Sequence, residues 1–188
     1  RPHHFEVKHC WIHGESGKGN LVVGVGIEAN NVRILDSYFG SIASSTQDAH
    51  AIGITKTDGP VEVRNNYISA ASMNVLIGGD NFAAGQLPSL LTFVGNRFGR
   101  EPAMRVVQGY GDPTLLCREG NVYRNLTLSH DWLCNGSGVW VDQDGLTTNG
   151  VWVQKALWES KASRGVRLFG NLMENAWFPS TWTSAPFI

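Results

Sequence analysis

The sequence has little charge, few cysteines and no long apolar run. Only 16% of its 188 residues are charged, and 15 basic residues nearly balance 16 acidic ones, which leaves a net charge of −1. A chain this close to neutral has no overall field that attracts nucleic acid or an anionic membrane surface, so we expect neither partner. Every apolar stretch falls far short of the roughly 20 residues of a membrane-spanning helix, so we expect no membrane span. The chain does contain 42% apolar residues, which at this length is enough for a core and predicts one folded domain over residues 1–188.

Cysteine is scarce and odd in number. With only Cys10, Cys117 and Cys134, at least one thiol stays unpaired. We expect all three to act as small apolar residues, and a Cys117–Cys134 disulfide is the alternative.

An eight-residue pattern recurs along the chain: two apolar residues in alternation, a small polar residue three positions later, and one more apolar residue. The five clear matches are Phe5-x-Val7-x-x-Cys10-x-Ile12, Val32-x-Ile34-x-x-Ser37-x-Phe39, Val61-x-Val63-x-x-Asn66-x-Ile68, Leu91-x-Phe93-x-x-Asn96-x-Phe98 and Val166-x-Leu168-x-x-Asn171-x-Met173. Their polar residues lie 27, 29, 30 and 75 positions apart. A nearly fixed period in this range is typical of stacked structural repeats.

Each match predicts a β-strand followed by a turn. Alternating apolar residues indicate a strand with one buried face, and Val, Ile and Phe favour strands. Asparagine at the polar position tolerates a left-handed turn and can bond to the backbone of the next repeat. We therefore expect Asn66, Asn96 and Asn171 to stack as a ladder.

The long interval before Asn171 contains two weaker matches. They are Leu116-x-Arg118-x-x-Asn121-x-Tyr123 and Val139-x-Val141-x-x-Asp144-x-Leu146, of which the second fits a hairpin equally well. A further strand precedes the pattern in most repeats, as in Val25–Glu28, Ala51–Ile54, Asn74–Ile77, Met104–Val107 and Lys155–Trp158. Strand, corner, strand, corner and loop make one coil of a parallel β-helix, so we predict an all-β solenoid of five to seven coils. A β-sandwich is the alternative, but its strands lack a common template at constant spacing.

The repeats carry a family resemblance. Asn65-Asn66-Tyr67-Ile68 after Val61-x-Val63, and Phe169 to Asn175, resemble repeats of right-handed parallel β-helix proteins of the pectin-lyase-like superfamily. The resemblance covers most of the chain and weakens between about Gly99 and Val153. Segments such as His13-Gly14 and Gly78-Gly79-Asp80 are similar to a bacterial branch known mostly by its fold. The resemblance therefore implies a scaffold and leaves the activity open.

The ends of the sequence lack a capping helix. The pattern is under way by Phe5, and Ala185 to Ile188 looks like the start of another strand. Bare solenoid ends expose edge strands that invite pairing. We therefore expect a fragment of a longer solenoid, or ends that are covered by a partner or by self-association.

One group of candidate site residues comes from two adjacent repeats. In the superfamily, polysaccharide enzymes place carboxylates and a base on neighbouring coils, which implies a site made of Asp48, His50, Lys56, Asp58 and Asp80. Asp48 and His50 are two residues apart, and on a strand such residues share a face. Asp58 and Asp80 also fit as ordinary turn residues beside glycine.

A second group lies near the end of the sequence. It comprises Glu159, Lys161, Glu174 and Asn175, joined by Trp158 and Trp177. Aromatic faces beside carboxylates are what a sugar ring meets in a binding cleft. The alternative places the tryptophans in the solenoid interior and makes Glu159–Lys161 a surface ion pair.

The histidines near the start invite a metal hypothesis. His3, His4, His9 and His13 match no defined zinc spacing, and no cysteine completes a site, so we predict no metal there. We expect no cofactor in a hydrolase, whereas a lyase of this kind would use Ca²⁺.

Together these features predict a secreted or cell-surface domain that binds a polysaccharide and cleaves it by hydrolysis or β-elimination. Asp48, His50, Asp80 and Glu159 are the expected catalytic residues, and Lys56, Asp58, Trp158, Lys161, Glu174 and Trp177 are expected to bind substrate. The polygalacturonase and pectate lyase motifs are missing, so no specific substrate is predicted. The competing hypothesis is a structural or adhesive solenoid, such as a surface protein or a phage tail-fibre segment.

Overall fold

The computed structural model consists of β-strands. It describes residues 1–14, 21–44, 47–79, 87–100, 122–125, 130–134, 140–142, 147–148 and 155–175. In these ranges there is no helix, and so none long and apolar enough to cross a membrane. The all-β prediction is confirmed for this part of the chain.

The strands are short and follow one another closely. The first nine are β1 (His3–Lys8), β2 (Trp11–His13), β3 (Val23–Ile27), β4 (Asn30–Leu35), β5 (Tyr38–Ile42), β6 (His50–Ile54), β7 (Val61–Arg64), β8 (Tyr67–Ala70) and β9 (Met73–Ile77). The others are β10 (Ser89–Val94), β11 (Arg97–Gly99), β12 (Val122–Asn125), β13 (His130–Cys134), β14 (Trp140–Asp142), β15 (Thr147–Thr148), β16 (Trp158–Ser160), β17 (Arg164–Phe169) and β18 (Leu172–Met173).

Three parallel sheets form the body of the structure. Sheet 1 has the order β1-β4-β7-β10-β17, sheet 2 has β2-β5-β8-β11-β18, and sheet 3 has β3-β6-β9-β16. The chain therefore visits sheets 1, 2 and 3 in turn and then returns to sheet 1 beside its previous strand. This strand order is that of a solenoid, and all pairs in these three sheets are parallel.

The repeated pattern sets the register of sheets 1 and 2. Val32, Val61 and Leu91 are paired across sheet 1, and Phe39, Ile68 and Phe98 are paired across sheet 2. These side chains are at most 4% exposed and belong to one apolar cluster that the three sheets surround. A one-residue shift would turn each row to the opposite face, so burial of this cluster fixes the register.

The polar positions of the pattern form a continuous ladder between sheets 1 and 2. The side-chain oxygens of Ser37, Asn66, Asn96 and Asn171 accept the backbone N–H of the polar residue one repeat earlier, at 2.9–3.1 Å. Asn96 Nδ2 also donates to the carbonyl of Val63 at 2.8 Å. The predicted asparagine ladder is confirmed, and it continues through Ser37 to the backbone of Cys10.

The left-handed turn lies one residue before the position that the sequence indicates. We call each polar residue of the ladder a rung. The residue directly before each rung has a positive φ: His9 (54°), Asp36 (49°), Asn65 (54°), Gly95 (64°) and Gly170 (64°). The rung asparagine itself is therefore free of this conformation, and its amide faces the backbone of the preceding repeat. Asparagine, aspartate and glycine suit the turn because they adopt positive φ at the least cost.

The long interval in the pattern contains a separate antiparallel sheet. Sheet 4 has the order β12-β13-β14-β15, with antiparallel pairs throughout. Val141 pairs with Leu133 in this sheet, so the second weaker match is a hairpin rather than a coil of the parallel sheets. Tyr123 of the first weaker match also lies in it, whereas Leu116, Arg118, Cys117 and the strand expected at Met104 lie outside the described residues.

Arg100 holds together the two chain segments that flank residues 101–154. Its side chain is 1% exposed. Nε donates to the carbonyl of Ala71 and Nη2 to that of Ser72, both at 2.8 Å, and Nη2 also donates to the carbonyl of Lys155. Burial lowers the pKa of Arg100 to about 9, which leaves it cationic at neutral pH. This side chain therefore fixes where the chain re-enters sheet 3.

Candidate active site on sheet 3

Three of the four expected catalytic residues lie at the outer side of sheet 3. In β6, Ile52 and Ile54 face the core, so Gly53 between them faces outward, and the ring of His50 lies against it. In β16, Trp158 faces the core, so Glu159 faces outward. Gly26, Gly53, Leu76 and Glu159 are paired in one outer row across the sheet. Asp48 precedes β6 by two residues.

His50 is the most unusual of these residues. Burial lowers the pKa of its imidazole, while the nearby carboxylates of Asp48 and Glu159 act in the opposite direction. Its Nδ1 atom is covered and makes no hydrogen bond to any described residue. A covered, unpaired polar atom calls for an explanation, and titratable groups with shifted pKa values are common at functional sites.

Asp48 is held by contacts from two neighbouring repeats. Its Oδ2 lies 2.7 Å from Nζ of Lys155, and its Oδ1 accepts a hydrogen bond from Ser72 at 3.3 Å. Both members of the ion pair are about three-quarters covered, at 22% and 27% side-chain exposure. The pair is therefore better shielded than a surface ion pair, and Asp48 has a defined position beside His50.

Glu159 is almost covered and has one cationic neighbour. Its side chain is 11% exposed, and Nζ of Lys161 lies 3.6 Å from Oε1. The carboxylates of Asp48 and Glu159 both act electrostatically on His50, so the three groups share one region of the sheet. The arrangement brings an imidazole near two carboxylates, each of which has a lysine partner.

Two other predicted residues have structural partners elsewhere. Lys56 Nζ lies 4.0 Å from Oε1 of Glu28. Asp58 accepts hydrogen bonds from Arg1 at 2.8 Å and from Asn30 at 3.5 Å, which ties the turn after β6 to the strands of sheet 1. The turn interpretation explains Asp58 without a substrate.

Trp158, one of the expected substrate-binding residues, lies in the core of the structure. Its side chain is 4% exposed, and its ring meets Phe93 edge to face at a centroid distance of 4.4 Å. Trp158 and Glu159 are adjacent in one strand, so only one of them can face outward. The interior interpretation is correct for this tryptophan.

Glu174 lies on a different sheet from Glu159. It follows β18 of sheet 2 and forms an ion pair with Arg97, whose guanidinium lies 5.7 Å from the ring centre of Tyr67. The second predicted group is therefore divided between two sheets. Asp80 and Trp177 lie outside the described residues.

Sequence reasoning missed two features near the predicted residues. One is Lys155, the partner of Asp48, which is 107 residues away along the chain. The other is an outer row on sheet 2 in which Trp11, Tyr38, Tyr67 and Arg97 are paired in register. Trp11 is 69% exposed, and Tyr38 stacks on Tyr67 at 4.8 Å. The shared position of these aromatic residues, one after each rung of the ladder, was the available signal.

The arrangement on sheet 3 suits proton transfer. A neutral imidazole can accept a proton near pH 7, and nearby carboxylates stabilise the cation that forms. Among the described residues no three His, Cys, Asp or Glu side chains come close enough together to hold a metal ion.

A scan against protein-family models found no match to this chain, and searches among curated proteins and solved structures found none either.

Proposed function

We propose that this chain is a carbohydrate-active domain that binds a polysaccharide along the outer face of sheet 3 and cleaves it there. The observation that carries this proposal is the position of His50, covered and flanked by Asp48 and Glu159. A chain of sugars that lies along the stacking direction would cross successive strands about 4.8 Å apart and so meet residues of several repeats. We further propose a secreted or cell-surface location and the right-handed parallel β-helix of the pectin-lyase-like superfamily, with five to seven coils.

His50 is the proposed general base. In hydrolysis it would take a proton from water, while a protonated carboxylic acid would give a proton to the leaving glycosidic oxygen. In β-elimination it would take the proton from the carbon next to a uronate carboxyl group, and the glycosidic oxygen would leave as the double bond forms. Both reactions need the imidazole unprotonated before the step, and its lowered pKa favours that form.

The test is turnover and binding on a panel of neutral and uronate-containing glycans. We expect His50→Gln and Glu159→Gln to lose at least ~100-fold in turnover, the typical contribution of general acid–base catalysis. Glu62→Gln is the matched control because Glu62 lies on sheet 1, where it pairs with Arg33 and Arg64. Turnover that survives in His50→Gln, or that falls equally in Glu62→Gln, rejects the proposed site.

A structural or adhesive solenoid is the second candidate function. It is favoured by the ladder and by the stack of Arg97, Tyr67 and Tyr38, in which the two tyrosine rings lie against each other and the guanidinium lies over the ring of Tyr67. Large apolar side chains are also exposed at both edges of sheet 1, where Phe5 is 51% exposed and Phe169 is 55% exposed. This candidate predicts assembly through the ends, measured by sedimentation, and no turnover of any glycan.

A further inference from the structure

We propose that Gly53 is a positioning residue for His50: its missing side chain leaves the space in which the imidazole lies against sheet 3. This inference rests on the proposed function, because it concerns the base of the same site. It adds a residue that carries no reactive group and that no motif in the sequence singles out.

The ring of His50 lies very close to the backbone of Gly53. A Cβ atom at Gly53 would lie 3.0 Å from Cδ2 and 3.0 Å from Nε2 of His50. Contacts this close are tighter than nine in ten real Cβ contacts, so an alanine side chain would push the ring away from the strand by a few tenths of an ångström. Gly53 does not have the positive φ seen at the glycines of the ladder turns, so steric contact rather than backbone conformation is what disfavours a side chain there.

The position of the His50 ring determines which side chains lie near it. Gly53 belongs to the same outer row as Glu159, with Leu76 between them, and the carboxylate of Glu159 acts electrostatically on the imidazole. Val23 on the preceding strand is the next neighbour, with Cγ1 3.9 Å from the same Cβ position. The charged groups that face His50 are Asp48, which pairs with Lys155, and Glu159, which pairs with Lys161.

Gly26 provides a matched control. It occupies the same outer row one strand earlier, paired directly with Gly53. A Cβ atom at Gly26 would meet nothing nearer than Cγ1 of Val23 at 4.0 Å. Gly26→Ala therefore makes the same chemical change in the same row and leaves the imidazole in place.

The first experiment is a histidine titration followed by NMR, with the His50 signal assigned from His50→Gln. In Gly53→Ala the ring is pushed away from the strand and becomes less covered, so we expect the pKa of His50 to rise, because burial is the main cause that lowers it. We expect the same titration curve in Gly26→Ala as in the parent protein. An unchanged His50 titration in folded Gly53→Ala overturns the proposal, and so does an equal change in Gly26→Ala.

The second experiment is a double-mutant cycle on the unfolding midpoint in urea. We expect Gly53→Ala to lower the midpoint in the parent protein and to leave it unchanged or raise it in a His50→Ala background, since the clash is then gone. A midpoint that falls equally in both backgrounds would show that Gly53 is needed for another reason, and the proposal would be wrong.

The two experiments need no substrate, which separates this proposal from the proposed function. If glycan turnover exists, we expect Gly53→Ala to lower it at least tenfold and to shift the acid side of its pH profile, whereas Glu62→Gln on sheet 1 leaves it unchanged. If no glycan is turned over but the titration and the cycle behave as expected, the positioning role stands and the proposed function fails.

Discussion

The side-chain oxygen of Asn96 accepts the backbone N–H of Asn66 at 3.0 Å, and both residues are at most 3% exposed. The amide of Asn96 also donates to Val63, so one side chain satisfies two buried backbone groups of the preceding repeat. Backbone groups at a corner between sheets have no ladder partner of their own, and leaving them unpaired is costly. The rungs therefore hold successive repeats together where the strands end.

We expect Asn96→Ala to lower the free energy of unfolding by about 2–4 kcal/mol, because it leaves a buried donor and a buried acceptor unpaired. Asn171→Ala should cost less, since Asn171 is only partly buried. Urea denaturation of both variants measures the difference. An equal loss in the two variants would contradict the link between burial and the strength of the rung.

Truncation of Trp158 should lower the stability of the fold much more than truncation of Trp11. Trp158 fills the core against Phe93, so Trp158→Ala should cost about 3–5 kcal/mol. Trp11 is 69% exposed, so Trp11→Ala should stay within about 0.5 kcal/mol of the parent protein. Thermal unfolding of the two variants tests this, and a stable Trp158→Ala protein would show that Trp158 does not belong to the core.

Arg100 should be needed for stability although it has no reactive role in the proposed site. Arg100→Met removes the donors to the carbonyls of Ala71, Ser72 and Lys155, and we expect a loss of about 3 kcal/mol or more. Arg167→Met is the control, because Arg167 is exposed on sheet 1. Similar unfolding midpoints for the two variants would argue against the bridging role of Arg100.

His50 should make the fold less stable in mild acid. Its pKa is lowered in the folded state, so the unfolded chain takes up the proton first as the pH falls below about 6.5. Stability contributed by the neutral ring is therefore complete above this pH and declines below it, until the folded protein also binds the proton. His50→Gln should flatten this decline in urea unfolding curves recorded between pH 8 and pH 5. A decline of equal steepness in the variant would assign it to other groups.

The fold was predictable because its determinants recur along the chain. Alternating Val, Ile and Phe residues mark the strands, and the spacing of Asn66 and Asn96 places one rung above the next. The interval before Asn171 was harder, since hairpins and solenoid strands use the same alternation. Only the pairing partner of Val141 distinguishes them, and that partner, Leu133, follows no periodic rule.

The candidate site was predictable only in part. Asp48 and His50 are only two residues apart in sequence, and this separation alone keeps them close in space. The partner of Asp48, Lys155, comes from a segment beyond residues 101–154, and nothing in the local sequence marks it. The opposite orientations of Trp158 and Glu159 follow from the sequence alone, because side chains of adjacent strand residues face opposite ways.

The sequence by itself determined the layered scaffold, because a repeated pattern of apolar and polar residues specifies which side chains must be buried and which backbone groups they must satisfy. The tertiary structure decided which ionisable groups meet. The pairing of β16 with β9, next to the hydrogen bond from Arg100 to the carbonyl of Lys155, brings Glu159 into the row of Gly53 beside the ring of His50. Contacts between residues about a hundred positions apart depend on this long-range pairing, and no local preference encodes it.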